Sequence, residues 1–187
     1  QLLSTGGETV RKSLIEALRQ KVAFRPNVQF NLRQIELGTF AGLTIEYFLW
    51  WSHLDVMNSG MMFRNDISSP GFPIICLWQG GTTKLEQYWD WIKERCTQGE
   101  AVFVLNFSGE GPHEPGPLYR KDNHLFFGML HKLADELIWL GDSLAKIRTY
   151  DLLQCINLLN PLFPEPATVQ VYAEGLFQVY PRLAMLL

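Results

Sequence analysis

The chain has 187 residues, 47% of them apolar and 13% aromatic, with a formal net charge of −3. That is enough apolar material to bury a core, and no run approaches the roughly 20 apolar residues of a membrane-spanning helix. A slightly acidic chain lacks the cationic surplus that draws nucleic acid or an anionic membrane surface, so neither is expected as a partner.

No basic stretch followed by an apolar one marks a secretory leader at the N-terminus, which leaves the compartment open with the cytoplasm favoured. Helical spacing runs from Glu8 to Val22. Leu14, Ile15, Leu18 and Val22 form a stripe opposite Arg11, Lys12, Glu16, Arg19 and Gln20, and Pro26 ends the segment. A β-meander is expected over 28–63. Its β-prone runs are Val28–Leu37 and Leu43–Trp51, linked through Gly38 to Gly42, followed by Met61–Phe63 and a turn at Ser68–Gly71.

Pro73–Trp78 is a continuous apolar run, as expected of a strand covered on both faces. The turn Gln79, Gly80, Gly81, Thr82, Thr83 leads into an amphipathic helix whose apolar face is Leu85, Tyr88, Trp89, Ile92 and Cys96, with Gly99 as its stop. A second buried-type strand follows at Ala101–Leu105. Strand, helix and strand over 73–105 make a βαβ unit, whose strands should be parallel and whose crossover should be right-handed.

Residues 107–147 read as an insertion. It opens with a Gly- and Pro-rich loop at the carboxyl end of a strand, where α/β sheets place ligands. Helical spacing then covers 125–147 with Gly141 as an interruption, and Tyr150–Leu159 reads as a further helix. The segment 168–187 has the order strand, tight turn, helix: Val169, Val171 and Tyr172, then Ala173, Glu174 and Gly175, then apolar residues to Leu187. This is the frame of a nucleophile elbow, in which a Gly-x-Ser-x-Gly turn lifts a serine above the end of a sheet. On it, Ala173 takes the first glycine position, Gly175 the serine position and Phe177 the last glycine position. The expected fold class is α/β, with a mixed, mostly parallel sheet and flanking helices in a single domain over 1–187.

Cys76, Cys96 and Cys155 form no CxxC pair or metal spacing and read as small buried hydrophobes of a reduced protein. His53, His113, His124 and His131 show neither the i, i+4 zinc pair nor HExxH, and read as surface or capping residues. No metal and no cofactor is expected. Glu110, Glu114 and Glu174 are candidates to converge at one sheet edge for acid–base work, with solvated carboxylates as the alternative. Ser108 and Ser143 are hydroxyls without a strand–turn–helix context. Gly109 and Gly111 precede Pro112 rather than a helix N-terminus, so the loop is no phosphate cradle.

The order of these elements carries a resemblance. A β-meander, the run from Gly71 to Gly81, the amphipathic helix, the run from Gly99 to Gly111, the segments Leu140–Ala145 and Arg148–Leu153, and the closing strand–turn–helix together resemble the front half of an α/β hydrolase. The likeness is to the acetyl xylan esterase and dienelactone-hydrolase-like branch and covers roughly residues 30–187. It implies that backbone N–H groups of Gln79 and Gly80, together with that of Leu176 after the elbow, form an oxyanion hole. A plain strand-to-helix connector is the alternative for residues 79–81. The family's acid and histidine lie downstream of the elbow, and with glycine at 175 the nucleophile is absent.

The resemblance therefore implies a carboxyl-ester hydrolase relative that is catalytically incomplete as the chain stands. The alternative is a non-catalytic module for structure or for binding a partner or carbohydrate. A small ester or acetylated carbohydrate is the expected ligand class. The strand at Thr168–Tyr172 should have an unpaired edge, because the expected hydrolase sheet is C-terminally incomplete. A second polypeptide or homo-oligomer is expected to complete it.

Overall fold

The computed structural model describes residues 2–22, 29–53, 56–65, 71–116, 130–163 and 168–187. His124, Pro26, the Ser68–Pro70 part of the expected turn, Pro164 and Pro166 lie outside the described residues. Six strands form one sheet in the order β1-β2-β3-β5-β4-β6. They are β1 (Arg33–Phe40), β2 (Leu43–His53), β3 (Val56–Arg64), β4 (Ile74–Leu77), β5 (Val102–Asn106) and β6 (Val171–Ala173). The helices are α1 (Leu2–Val22), α2 (Leu85–Thr97), α3 (His131–Trp139), α4 (Leu144–Leu159) and α5 (Val179–Ala184). No helix among the described residues is long and apolar enough to cross a membrane.

The sheet is mixed, but it is not mostly parallel as expected. β1–β2, β2–β3 and β3–β5 are antiparallel, and only β4–β5 and β4–β6 are parallel. The reason lies in the connections. Short links leave successive strands no choice but to reverse, whereas parallel neighbours need a long crossover, supplied here by α2 and by the segment containing α4. The link from β1 to β2 is only Ala41–Gly42, both with positive φ (51° and 84°), a pairing that suits a two-residue hairpin turn. Gly38 is inside β1 at a register shift rather than in the link.

Four further boundaries move. β3 starts at Val56, well before Met61, because the polar residues Asn58 and Ser59 that interrupt the apolar pattern are themselves fully buried. α1 begins at Leu2 rather than Glu8, since helix propagation past weak formers is easier than starting anew. β6 covers Val171–Ala173 rather than 168–172, with backbone bonds to β4 also at Gln170 and Glu174. α4 starts within the expected insertion, where the Ser143 hydroxyl accepts the Lys146 N–H at 3.2 Å, an N-cap.

The core has two layers because β4 and β5 alternate. Ile75, Leu77, Phe103 and Leu105 face one side, where Leu152, Cys155, Leu158 and Leu159 of α4 cover them together with Phe177 and Tyr180. Ile74, Cys76, Val102 and Val104 face the other, against Ile92 and Cys96 of α2, with Trp89 at the margin. Val169 and Val171 are only half-buried, since β6 is the last strand of the sheet and no described strand lies beyond it. The three cysteines are buried and free.

Ile75 has no exposed surface and sits at the centre of the α4-side layer. Ile75→Ala should lower unfolding free energy by about 2–5 kcal/mol, read from urea titration.

Candidate functional site

The turn after β4 is built from its backbone N–H groups. Gly80 donates to the Glu110 carboxylate at 3.0 Å and Gly81 to the Trp78 carbonyl at 3.2 Å. Thr82 donates to Asn106 Oδ1 at 2.8 Å and Thr83 to the Gly80 carbonyl at 3.0 Å. The Trp78 indole closes the turn by donating to the Gly81 carbonyl at 2.9 Å. Gly81 has φ +48°, and a Cβ there would collide with the Asn106 side-chain oxygen. Glycine is therefore required by close approach as well as by conformation.

Glu110 belongs to the loop after β5. Its second oxygen accepts from Arg148 at 2.9 Å. Arg148 is 5% exposed. It projects from α4 and also donates to the Ser108 carbonyl at 3.1 Å and the Tyr180 hydroxyl at 3.2 Å. Its guanidinium lies 5.8 and 6.0 Å from the ring centres of Phe177 and Tyr180. One turn along α4, the fully buried Asp151 accepts the Ser108 N–H at 2.9 Å, and His53 Nε2 is 3.9 Å from its other oxygen. Burial pushes the Asp151 carboxyl up to about 6, against the opposing pull of Ser108, Asn58 and the Arg148 guanidinium.

The strand–turn–helix at residues 171–184 has the expected order. β6 ends at Ala173, Gly175 turns with φ +54°, and a 3-10 turn over Gly175–Gln178 leads into α5. A Cβ at Gly175 would meet nothing within 4 Å, so crowding does not impose the missing side chain. Leu176 is 89% exposed. Its N–H falls in the first helical turn, where donors have no partner within the helix. Glu174 accepts a hydrogen bond from the Tyr88 hydroxyl. Burial, reinforced by that carboxylate, pushes Tyr88 up to about 12.

These segments enclose a cavity of about 730 Å³. Gln79, Gly80, Gly175, Leu176 and the carboxylates Glu110, Glu114 and Glu174 all line it, with Phe177 and Tyr180 also in its wall. Lys84 and Arg148 are its cationic lining residues. No described histidine lines it, and among the described residues no group of three or more His, Cys, Asp or Glu is arranged to hold a metal ion.

The remaining residues singled out in the sequence are elsewhere. His131 is on the surface beside Asp135 at 3.2 Å. His113 and His53 are not surface or capping residues. His113 Nε2 lies 2.8 Å from Ser59 Oγ, which also accepts from Asn106 Nδ2 at 2.9 Å, and burial lowers the His113 pKa. His53 lies against Tyr150 with ring centres 4.3 Å apart and the planes tilted by 44°. Ser143 caps α4, and Ser108 is fixed through its backbone to Asp151 and Arg148. Arg148 and Asp151 lie in the segment Arg148–Leu153, but neither is among the candidate site residues read from the sequence. Their signal is phase: 148, 151, 152, 155 and 159 fall on one helical face, so two charges share the stripe of Leu152, Cys155 and Leu159.

No protein-family model matches the sequence, and no match is found among curated proteins. Solved structures do match. A Bacteroides fragilis protein named as an acetyl xylan esterase superposes with a TM-score of 0.69 at 13% identity, over 96% of this chain and 50% of that one. The acetyl xylan esterase of Paenibacillus sp. R4 superposes with a TM-score of 0.55 at 11% identity, over 92% of this chain and 52% of that one. The likeness is one of fold, and the chain spans about half the length of the structures it matches. Its architecture is esterase-like.

Asp151 gives the fold a pH dependence of definite sign. Its folded pKa of about 6 is above the ordinary 3.8, so its contribution is fully present below about pH 4 and is lost as pH rises towards 6. The stability of Asp151→Asn relative to the native chain should therefore rise by roughly 2 kcal/mol between pH 4 and pH 7. Urea unfolding of both proteins at the two pH values measures it.

Proposed function

We propose that this chain is a relative of carboxyl-ester hydrolases that is catalytically incomplete as it stands, a pseudoenzyme on an esterase-like fold. The observation that carries this reading is the hydrogen bond from Gly80 N–H to Glu110. An oxyanion hole works by aiming unoccupied donors at negative charge that appears only in the transition state. Here a carboxylate already occupies one such donor, held there by a buried guanidinium. It would repel the developing charge. Gly175 adds the lack of a nucleophile at the elbow.

A second reading, a binding module for a small ester or acetylated carbohydrate, is favoured by the cavity lining. Gln79, Thr83, Gln87 and Tyr88 offer neutral donors and acceptors, and with Glu110 in place three carboxylates disfavour an anionic ligand. The purified chain should neither hydrolyse p-nitrophenyl acetate above the buffer rate nor be labelled by a fluorophosphonate probe. Saturable turnover with stoichiometric labelling of one serine would overturn the first reading and leave the second without its premise.

We also propose that the outer edge of β6 pairs with a second copy of this chain. An edge strand presents unpaired N–H and C=O groups. An apolar groove of about 590 Å³ lies beside it, lined by Leu152, Ile156, Val171, Ala173 and Met185 among others. Tyr172 is exposed on the other face. Strand addition there would pair those groups and set new side chains beside β6 on each face. Light scattering on the eluting protein should give a dimer, with slow amide exchange at 171–173. A monomer whose β6 amides exchange freely would remove the proposal.

A further inference from the structure

We propose that Arg148 and the Gly80 N–H form a receptor for a small carboxylate anion, kept filled by the side chain of Glu110 acting as a tethered internal ligand. The inference rests on the same contact as the first reading above and names the ligand class of that position. A carboxylate is best held by donors fixed before it arrives, a guanidinium on one oxygen and a backbone N–H on the other. Both are present: Arg148 on Oε1 at 2.9 Å and Gly80 on Oε2 at 3.0 Å.

The donors are held by groups other than Glu110. Arg148 is oriented by the Ser108 carbonyl and the Tyr180 hydroxyl. Gly80 belongs to a turn closed by the bonds of Gly81, Thr82 and Thr83. Removing the Glu110 carboxylate leaves this geometry standing, with a buried cation and an N–H both without their acceptor. The position also borders the open cavity, so an anion from solvent has a path to it.

The loop bearing Glu110 is itself anchored. Ser108 N–H is bonded to Asp151, and His113 lies 2.8 Å from Ser59. Gly111 packs against the Gly80 carbonyl so closely that a Cβ there would stand 2.6 Å from it. Emptying the receptor is therefore a matter of the Glu110 side chain alone and not of moving the loop. In the native chain, a ligand carboxylate has to displace Glu110 to enter, which makes the receptor closed to anions at rest.

The test is chemical rescue. Glu110→Ala should melt below the native chain, and sodium acetate at about 100 mM should raise its midpoint by roughly 3 °C more than sodium chloride of equal ionic strength. The native chain and Glu110→Gln, whose side chain still fills the position, should respond alike to the two salts. The Gly80 amide resonance should move with acetate in Glu110→Ala only. Should Glu110→Ala be largely unfolded in chloride, acetate should increase its folded fraction by circular dichroism. Equal responses of Glu110→Ala to acetate and chloride, or an equal acetate response of the native chain, would overturn the proposal. Esterase turnover by the native chain would overturn the reading above and leave this titration unaffected, so the two failures are distinguishable.

Discussion

A guanidinium that is almost wholly buried must find its acceptors within the protein, and Arg148 finds three of them on two other segments of the chain. It joins α4 to the loop after β5 through Ser108 and Glu110, and to the helix after the elbow through Tyr180. Removing the Glu110 carboxylate would leave an uncompensated charge in the interior, a costlier state than either the intact pair or an apolar one. The relative positions of the loop, α4 and α5 are thus tied to a single side chain. Asp151 one turn along extends the network to the Ser108 N–H and lies near His53.

That network has a consequence for the turn after β4. Each N–H from Gly80 to Thr83 has a partner within the protein. A turn of this shape is well suited to presenting donors, yet its donors are directed inward, to Glu110, Asn106 and neighbouring carbonyls. What faces the cavity instead is a set of carboxylates, from Glu110, Glu114 and Glu174, with a tyrosine hydroxyl bonded to the last. The charged lining of the cavity is thus three carboxylates beside Lys84 and Arg148.

The sheet imposes the other constraint. On one flank the antiparallel β1, β2 and β3 form a meander, while β6 at the opposite flank is paired on one side only by the described strands. Half-burial of Val169 and Val171, exposure of Tyr172 and the adjacent apolar groove all follow from that position. The chain covers about half of the Bacteroides fragilis and Paenibacillus structures.

Much of this was legible in the residues themselves. Continuous apolar runs mark β4 and β5, the 3.6-residue spacing marks α2, and the glycine turns at 80–81 and at 175 mark the ends of strands; these signals are local, so the sequence carries them whole. The direction of the β3–β5 pairing, the start of β3 at Val56 and the fate of Arg148 were not legible in the same way. Asn58 and Ser59 look like a break in a strand until Asn106 and His113, some fifty residues away, approach Ser59. Glu110 looks like a solvated loop carboxylate until Gly80, thirty residues earlier, and Arg148, thirty-eight later, reach its two oxygens. The sequence by itself determined which segments become strands, helices and turns, because propensity and periodicity act over a few residues. Only the tertiary structure decided which polar groups are buried and what each one binds, because a buried charge is tolerated solely where distant parts of the chain bring it a partner.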